Sequence, residues 1–326
     1  MGSSLKGYLV FAELLIWIMS SVAIATTDNT REEVSCENKF FERGVFKGQQ
    51  MNYAEKLPVW IVDGFGVDNR GLIEGINEVE RREHTILISN FNHRGERFLV
   101  EIPLSSLEKV YILGCSIAEI LSHKIFHRTL IFELANRGPK DGLRFFALDG
   151  EFKVSSRDPI ESTINPQFFG LSYNGVFPAG KSYQMAKGFA LHNYGGSLNM
   201  LSMEVLDSQV ERERQNQGEN FGAEIDQLSF SPQETQQLFE IMVTRFHATH
   251  DSNYERASYH TLCENCETHP LKFMNQVRPL PKASVCSAPL ALLKGGFPSL
   301  KKLRKSGYIS QQIPFDGNTI RSSLIN

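Results

Sequence analysis

The chain has 326 residues, a formal net charge of −3 at pH 7, 41% hydrophobic residues and 22% charged residues. These values exclude collagen-like proteins, low-complexity disordered proteins and polytopic membrane proteins. The near-neutral balance also argues against a dedicated nucleic-acid-binding protein, which carries a basic excess.

Residues 1–25 have the pattern of a secretory signal peptide. Lys6 provides a positive start, and the apolar run GYLVFAELLIWIM over residues 7–19 is interrupted only by Glu13. A small-x-small step ends at Ala25, which predicts cleavage there and a periplasmic or secreted protein. An uncleaved anchor is the alternative, but the run is shorter than the roughly 20 residues of a membrane span.

The predicted export determines how the cysteines are interpreted. The chain contains Cys36, Cys115, Cys263, Cys266 and Cys286, all of which follow the predicted cleavage site. An oxidising compartment permits disulfides, and an odd number leaves at least one thiol outside any intramolecular pair. The apolar surroundings of Cys115 predict a buried thiol, whereas a protected nucleophile is the other interpretation of an unpaired cysteine.

The first half of the chain is predicted to be rich in β-strands after a polar lead-in over residues 26–56. Short β-prone runs cover residues 59–62, 85–89, 97–102 and 110–113. Turn residues separate them, so residues 26–110 form either a small module or extra strands on the main domain. A short helix is predicted over residues 116–121.

The middle of the chain continues with strands and glycine-rich segments. Residues 127–134 and 143–148 are predicted to form a β-hairpin. Residues 164–200 combine glycines with aromatic residues, which suggests tight turns and rings beside a cleft. A further strand is predicted over residues 200–210.

A strong helix signal lies at Ser231. Ser231 is suited to cap the helix, Pro232 to occupy its first position and Glu234 to close a capping box, so a helix is predicted over residues 232–248. Residues 281–326 are predicted to be a polar and basic tail. Its run KKLRK is expected to be solvated, and a peripheral contact with anionic lipid is left open.

The densest set of reactive side chains is His260-x-x-Cys263-x-x-Cys266-x-x-His269. A zinc site needs four such ligands, but structural sites usually draw them from separated elements, and this spacing is compact. A Cys263–Cys266 disulfide or redox pair is the second interpretation. The third is a nucleophile, with Cys266 opening a helix.

The nucleophile interpretation follows from the physics of helix ends. The free N–H groups and the positive end of the dipole at a helix N-terminus favour a thiolate and can hold an oxyanion. Such a nucleophile needs a base, which can be distant in sequence. We select His127, at the start of a predicted strand, over His123.

Several segments share an order and spacing with a known family. They are the strand at Phe126–Phe132 with His127, the Ser172-Tyr173-Asn174-Gly175 step, the glycine- and aromatic-rich residues 187–196, the helix start at residues 230–234 and the Asn-Cys step ending Tyr259–Cys266. Over residues 115–277 the chain resembles the bacterial family typified by the Lnb N-terminal periplasmic domain. It is also similar to that family's circularly permuted NlpC/P60 (papain-like) relatives.

The resemblance implies an α+β fold. It implies a permuted papain-like domain over residues 111–280, with an antiparallel sheet and a cysteine-bearing helix, and an N-terminal β-rich extension. It assigns Cys266 as the nucleophile and His127 as the base, with Asn265 in the catalytic step. A third polar residue would orient the imidazole, for which Asp149 and Glu133 are candidates.

The activity implied is that of an exported thiol acyltransferase or hydrolase working through a thioester. An envelope lipid or lipoprotein acyl chain is the favoured substrate, and Tyr173, Tyr194 and Tyr259 are candidate substrate-binding residues. Alternatives are a cell-wall peptide amidase or protease, and a non-catalytic, disulfide-stabilised binding module. No cofactor, bound metal or nucleic-acid partner is expected, and the oligomeric state is not predicted.

Overall fold

The computed structural model describes much of the chain from residue 51 onward. The described residues are 51–52, 58–68, 75, 82–120, 123–135, 142–148, 154–155, 158–160, 164, 167–178, 194–252, 258–259, 266, 268–280, 300–315, 317 and 319–325. The predicted signal peptide lies outside them.

Thirteen strands and five α-helices are present in this part of the chain. The strands are β1 (Met51–Asn52), β2 (Trp60–Gly64), β3 (Val67–Asp68), β4 (Thr85–His93), β5 (Glu96–Pro103), β6 (Leu107–Ile120), β7 (His123–Leu134), β8 (Arg144–Ala147), β9 (Phe168–Pro178), β10 (Tyr194–Leu201), β11 (Ala223–Leu228), β12 (Ser258–Tyr259) and β13 (Ile309–Ile313). The helices are α1 (Met203–Gln217), α2 (Pro232–Ser252), α3 (Thr268–Val277), α4 (Leu300–Lys305) and α5 (Ile320–Ile325). None of the described helices is long and apolar enough to cross a membrane.

The fold is mixed α+β and is built on one large sheet. Its main path runs β13-β11-β6-β7-β9-β10-β4-β2-β3, and β1, β12, β5 and β8 join this path from the side. The pairings are antiparallel except at the single parallel contact of Leu201 in β10 with Asn92 in β4. The α+β class predicted from the sequence is therefore confirmed.

The two faces of the sheet carry separate apolar layers. On the first, Leu130 and Phe132 of β7 pack with residues of α2 and α3 such as Phe239 and Leu271; this is the α2/α3 face. On the second, Ile131 of β7 packs with residues of α1; this is the α1 face. Successive residues of a strand point to opposite sides, so neighbours in β7 belong to different layers.

The N-terminal strands are part of the same sheet. β4 pairs with β2 and β5, and β5 in turn pairs with β8. The Val59 amide donates to the Leu198 carbonyl of β10 at 2.9 Å, which joins the two regions directly. These N-terminal strands therefore continue the sheet of the later strands, and residue 110, the predicted boundary, lies inside β6.

Two local expectations about β6, β7 and β8 are wrong. The predicted helix over residues 116–121 is the end of β6, which pairs with β7 as far as Ile120 and His123. The predicted hairpin of residues 127–134 and 143–148 is absent because β7 pairs with β6 and β9, while β8 pairs with β5. Both differences arise because these strands pair with strands that are distant in sequence, and the local residue pattern does not reveal those partners.

The strand predicted over residues 200–210 is also wrong. β10 ends at Leu201, and Ser202 then caps helix α1 by accepting a hydrogen bond from the Val205 amide at 3.3 Å. Glu204 stands in the first turn, where the helix dipole favours a negative charge. Ser202 and Glu204 are the sequence signals for a helix start at this place.

The predicted capping box of α2 is confirmed. The Ser231 amide donates to Glu234 Oε2 at 2.9 Å, and the Glu234 amide donates to Ser231 Oγ at 3.3 Å. Arg278, which follows α3, donates from Nε to Glu234 Oε1 at 2.8 Å. The Arg278 guanidinium also lies over the rings of Phe230 and Tyr308, at 4.9 and 5.5 Å from their centroids. This contact joins the start of α2 to the end of α3.

The described residues among 300–325 pack against the rest of the fold, unlike the solvated tail predicted for residues 281–326. β13 extends the sheet at β11, and the Ile320 amide of α5 donates to Asp207 in α1 at 2.6 Å. In the basic run, Leu303 is buried and Arg304 holds the buried Asp226 of β11, with Nη2 2.9 Å from Oδ1 and Oδ2. The burial of Leu303 and the ion pair between Arg304 and Asp226 therefore hold this segment against the sheet.

Replacing Glu234 should remove an acid-dependent contribution to stability. Hydrogen bonds from Arg278 lower the pKa of Glu234 from 4.5 to about 2. A lowered carboxyl pKa stabilises the fold above the unfolded value, and this contribution is lost as the pH falls from 4.5 through about 2. We expect Glu234→Gln to cost about 1 kcal/mol at neutral pH, because both partners are partly exposed. Urea unfolding between neutral and acid pH measures this, with Glu240→Gln on the same helix as control; equal costs in both variants would contradict the prediction.

Removing Arg304 should destabilise the fold through Asp226. Burial raises the pKa of Asp226, and the Arg304 guanidinium opposes that effect. We expect Arg304→Met to cost about 2–3 kcal/mol, less than for a fully buried pair because 33% of the Arg304 side chain is exposed. The double variant Arg304→Met/Asp226→Asn should recover part of this loss in urea unfolding. Additive costs would show that the two groups do not interact.

Candidate functional site

Cys266 lies in a turn immediately before helix α3. The residue is 5% exposed, and α3 begins two positions later, at Thr268. The predicted helix is present, although it starts after Cys266 rather than at it. Pro270 falls in the first turn, as predicted, where it removes no intrahelical hydrogen bond. Cys266 therefore stands at the positive end of the α3 dipole.

The histidine in the first turn of α3 is surrounded by aromatic rings. The His269 imidazole centroid lies 3.8 Å from that of Tyr173 in β9. It lies 5.9 Å from the Phe246 ring in α2 and 5.8 Å from the Phe273 ring in α3. We call Tyr173, Phe246 and Phe273 the aromatic box of His269. The box lies on the α2/α3 face and fixes the first turn of α3 against the sheet.

Tyr173 reaches the box because Gly196, its diagonal neighbour in β10, has no side chain. A Cβ added to Gly196 would lie 1.8 Å from Tyr173 Oη and 2.4 Å from Cζ. Tyr173 itself is only 2% exposed. We predicted Tyr173 as a substrate-binding residue, but the structure places it in the core. The glycine-aromatic pattern here reflects close packing between β9 and β10.

His127 lies on the other side of the sheet. Its Nε2 atom is 2.8 Å from Oγ of Ser172, which is paired with Thr129. A Cβ added at Gly170 would touch both Thr129 and Leu206 of α1, so this set of side chains belongs to the α1 face. Because successive side chains of a strand point to opposite faces, Arg128 lies on the α2/α3 face. The structure therefore does not bring His127 onto the face where α3 packs after Cys266.

A row of polar side chains holds the His127 ring. Asn174 Nδ2 donates to Ser172 Oγ at 3.2 Å and to Asn199 Oδ1 at 2.7 Å, and Asn199 Nδ2 donates to Ser197 Oγ at 3.1 Å. The polar row consists of His127, Ser172, Asn174, Asn199 and Ser197. Sequence reasoning missed it, although its signal is visible as polar residues at every second position of β9 and β10.

Ser172 contacts the His127 imidazole, and Glu133, one of the two predicted carboxylates, lies too far away to orient it. Glu133 accepts hydrogen bonds from Tyr111 Oη and from Lys109 Nζ. It lies six positions along β7 from His127, which is about 20 Å at the rise of a strand. The other candidate, Asp149, lies outside the described residues.

Cys115 is paired with His127 across β6 and β7. Cys115 has a free, buried thiol, as its apolar surroundings predict. Burial raises the pKa of this thiol to about 12, and the charge of Glu213 adds to the effect. Cys115 therefore stays protonated at neutral pH, which suits a packing role and not a nucleophile.

The remaining candidates are described in part or not at all. The backbones of Tyr194 and Tyr259 pair across β10 and β12, but their side chains lie outside the described part of the chain, as does Asn265. His260 and Cys263 of the alternative zinc site are likewise outside it. Among the residues that the structure describes, no three His, Cys, Asp or Glu side chains are placed to hold a metal ion.

Comparisons with known proteins leave the family open: no family model, curated protein or solved structure matches the chain.

Filling the space at Gly196 should disturb the aromatic box. Gly196→Ala places a methyl group where the Tyr173 ring lies, and overpacking of this kind costs about 1–3 kcal/mol. We expect a smaller cost for Gly196→Ala in a Tyr173→Leu background, because the smaller side chain leaves room. Urea unfolding of both single variants and the double variant measures the coupling. The same cost in both backgrounds would contradict the contact.

Proposed function

We propose that the protein is an exported thiol acyltransferase or hydrolase with Cys266 as its nucleophile. The single observation that carries the proposal is the position of Cys266, buried in the turn before α3. The resemblance to the Lnb N-terminal periplasmic domain family supports it. A circularly permuted papain-like arrangement of the α+β fold is part of this proposal.

The N-terminus of α3 provides the stabilisation of negative charge that a thiol nucleophile needs. Helix N–H groups without intrahelical partners and the positive dipole end stabilise negative charge nearby. The charge is first on the sulfur, as a thiolate. It then moves to the carbonyl oxygen of the substrate, which becomes an oxyanion. One helix terminus thus serves both charged species in the reaction.

The substrate proposed is an ester or amide of the cell envelope. The Cys266 sulfur attacks the acyl carbonyl, the alcohol or amine departs with a proton, and a thioester remains. Water then gives hydrolysis, or a second amine gives acyl transfer. An acyl chain of a lipid or lipoprotein is favoured by the resemblance, and a cell-wall peptide amide is the enzymatic alternative.

Replacing Cys266 should abolish turnover without unfolding the protein. We expect Cys266→Ala to remove release or transfer of a radiolabelled acyl chain from lipoprotein and phospholipid substrates. Its melting temperature should remain close to that of the unmodified protein. Cys115→Ala is the matched control, since Cys115 is also buried and should be dispensable for turnover. A labelled muropeptide assayed in parallel tests the amidase alternative.

Two results would reject the thiol mechanism. The first is full turnover by the Cys266→Ala variant. The second is a non-reducing peptide map in which Cys266 is quantitatively joined to Cys263 or Cys286. That second result favours the competing hypothesis of a disulfide-stabilised, non-catalytic envelope module.

A further inference from the structure

We propose that Ser172 and His127 form a second, serine-based esterase site on the α1 face of the sheet. The site goes beyond the proposed function, because it uses neither Cys266 nor the start of α3. Ser172 supplies the nucleophile and His127 the general base. Three observations carry the proposal: the contact between the two side chains, the direction of their hydrogen bond and the place where β7 and β9 part.

The contact has the geometry that a serine nucleophile and its base require. His127 Nε2 lies 2.8 Å from Ser172 Oγ, within the range of about 2.6–3.2 Å over which a base takes a proton directly. Ser172 is paired with Thr129, which lies two positions from His127 in β7. Since side chains two positions apart share a face of a sheet, the strands themselves hold the nucleophile and the base side by side.

The direction of the hydrogen bond follows from the partners of Asn174. Its Nδ2 group donates to Asn199 Oδ1 at 2.7 Å and to Ser172 Oγ at 3.2 Å. The Asn199 oxygen only accepts, so this contact fixes which end of the Asn174 amide faces Ser172. Ser172 Oγ therefore accepts from Asn174 and directs its own proton at His127 Nε2. The imidazole then carries its proton at Nδ1 and a lone pair at Nε2, which is the form that a general base needs.

The strands that contribute the two residues part at this point. The pairing of β7 with β9 ends at Thr129 and Ser172. Beyond this pair, β7 continues beside β6, and β9 continues beside β10. The next residues on the α1 face are His127 and Asn174, which are partly exposed, whereas Ser172 is buried. The approach of a substrate carbonyl to Ser172 Oγ therefore lies between these two side chains.

The surroundings of the hydroxyl define the class of substrate. Asn174 is placed to donate to the oxyanion of a tetrahedral intermediate, and its contact with Asn199 holds the amide in position before the reaction. The groups in contact with Ser172 Oγ are a neutral imidazole and an amide, and the serine itself is completely buried. The substrate is therefore an uncharged carboxylic ester with a short acyl group, such as an acetyl ester.

The reaction balances in atoms and electrons. The O–H bond of Ser172 breaks, its proton bonds to His127 Nε2, and Oγ forms a bond to the carbonyl carbon of the ester. The bond to the alcohol breaks as the alcohol oxygen takes the proton from Nε2, which leaves an acyl serine. Water then gives a proton to Nε2 and bonds through its oxygen to the acyl carbon. Ser172 departs with that proton, the carboxylic acid is released, and both side chains return to their starting states.

The first test is labelling of the full chain with a fluorophosphonate probe, followed by site-resolved mass spectrometry. We expect the probe on Ser172 and about 100-fold slower labelling in His127→Gln, because a positioned base contributes at least this much. Ser208 is the internal control, since its hydroxyl is exposed on α1 and donates to a backbone carbonyl, so it should stay unlabelled. A protein with no probe on Ser172 would overturn the proposal. So would an unchanged labelling rate in a His127→Gln variant that keeps its melting temperature.

The second test is hydrolysis of p-nitrophenyl acetate, followed by the release of p-nitrophenolate. We expect Ser172→Ala to lose about 100-fold or more in rate, while Ser208→Ala keeps the rate of the unmodified protein. If Ser172→Ala lowers the melting temperature, the comparison rests on His127→Gln, which leaves Ser172 and its contact with Asn174 in place. Equal hydrolysis by the unmodified protein and by the folded variants would reject the site.

The two tests distinguish this site from the thiol mechanism. Fluorophosphonates modify activated hydroxyl groups, so labelling reports on Ser172 whatever Cys266 does. Ester hydrolysis that is lost in Cys266→Ala but retained in Ser172→Ala would assign the reaction to the thiol and overturn this inference. Lipoprotein acyl turnover that survives Cys266→Ala would reject the thiol mechanism, and labelling of Ser172 in the same sample would leave the serine site standing.

Discussion

The alternation of side chains along β7 is the constraint on which the candidate chemistry depends. Each step of one residue moves a side chain from one apolar layer of the sheet to the other. Leu130 and Phe132 fill the layer under α2 and α3, and this fixes Ile131, Thr129 and His127 on the side of α1. Because a register shift by one residue would move each of these apolar side chains into the opposite layer and disrupt the packing of both, the position of His127 is set by the core and not by the site.

The polar row on the α1 face provides hydrogen-bond partners for His127 at this position in the sheet. Ser172, Ser197 and Asn199 are almost completely buried, and an unpaired buried polar group costs about 1–3 kcal/mol. The amide of Asn174 donates to both neighbours at once, so hydrogen bonds continue across three strands from Ser197 to His127. The row thus connects β7, β9 and β10 by side-chain hydrogen bonds, and its Ser172 hydroxyl contributes to the orientation of the His127 imidazole.

Local signals in the sequence predicted the features that depend on the residues of a short segment. The capping box at Ser231 depends on residues within one turn, and the burial of Cys115 was signalled by the apolar residues around it in its own strand; both predictions are confirmed. The partner of β8, the length of β6 and the docking of Arg304 on Asp226 depend on residues that are distant in sequence. For the same reason, the sequence could nominate Cys266 and His127 but could not state on which face each would lie.

The contact between Gly196 and Tyr173 connects the sheet to the candidate nucleophile. The missing side chain at Gly196 lets the Tyr173 ring lean across β10, and that ring supports His269 in the first turn of α3. Phe246 of α2 closes the same group from the helix layer. The start of α3, and with it the turn that contains Cys266, is therefore positioned by packing on two strands and a helix. A helix terminus held this firmly keeps its N–H groups aimed at one place, which is the preorganisation that stabilisation of a developing negative charge requires.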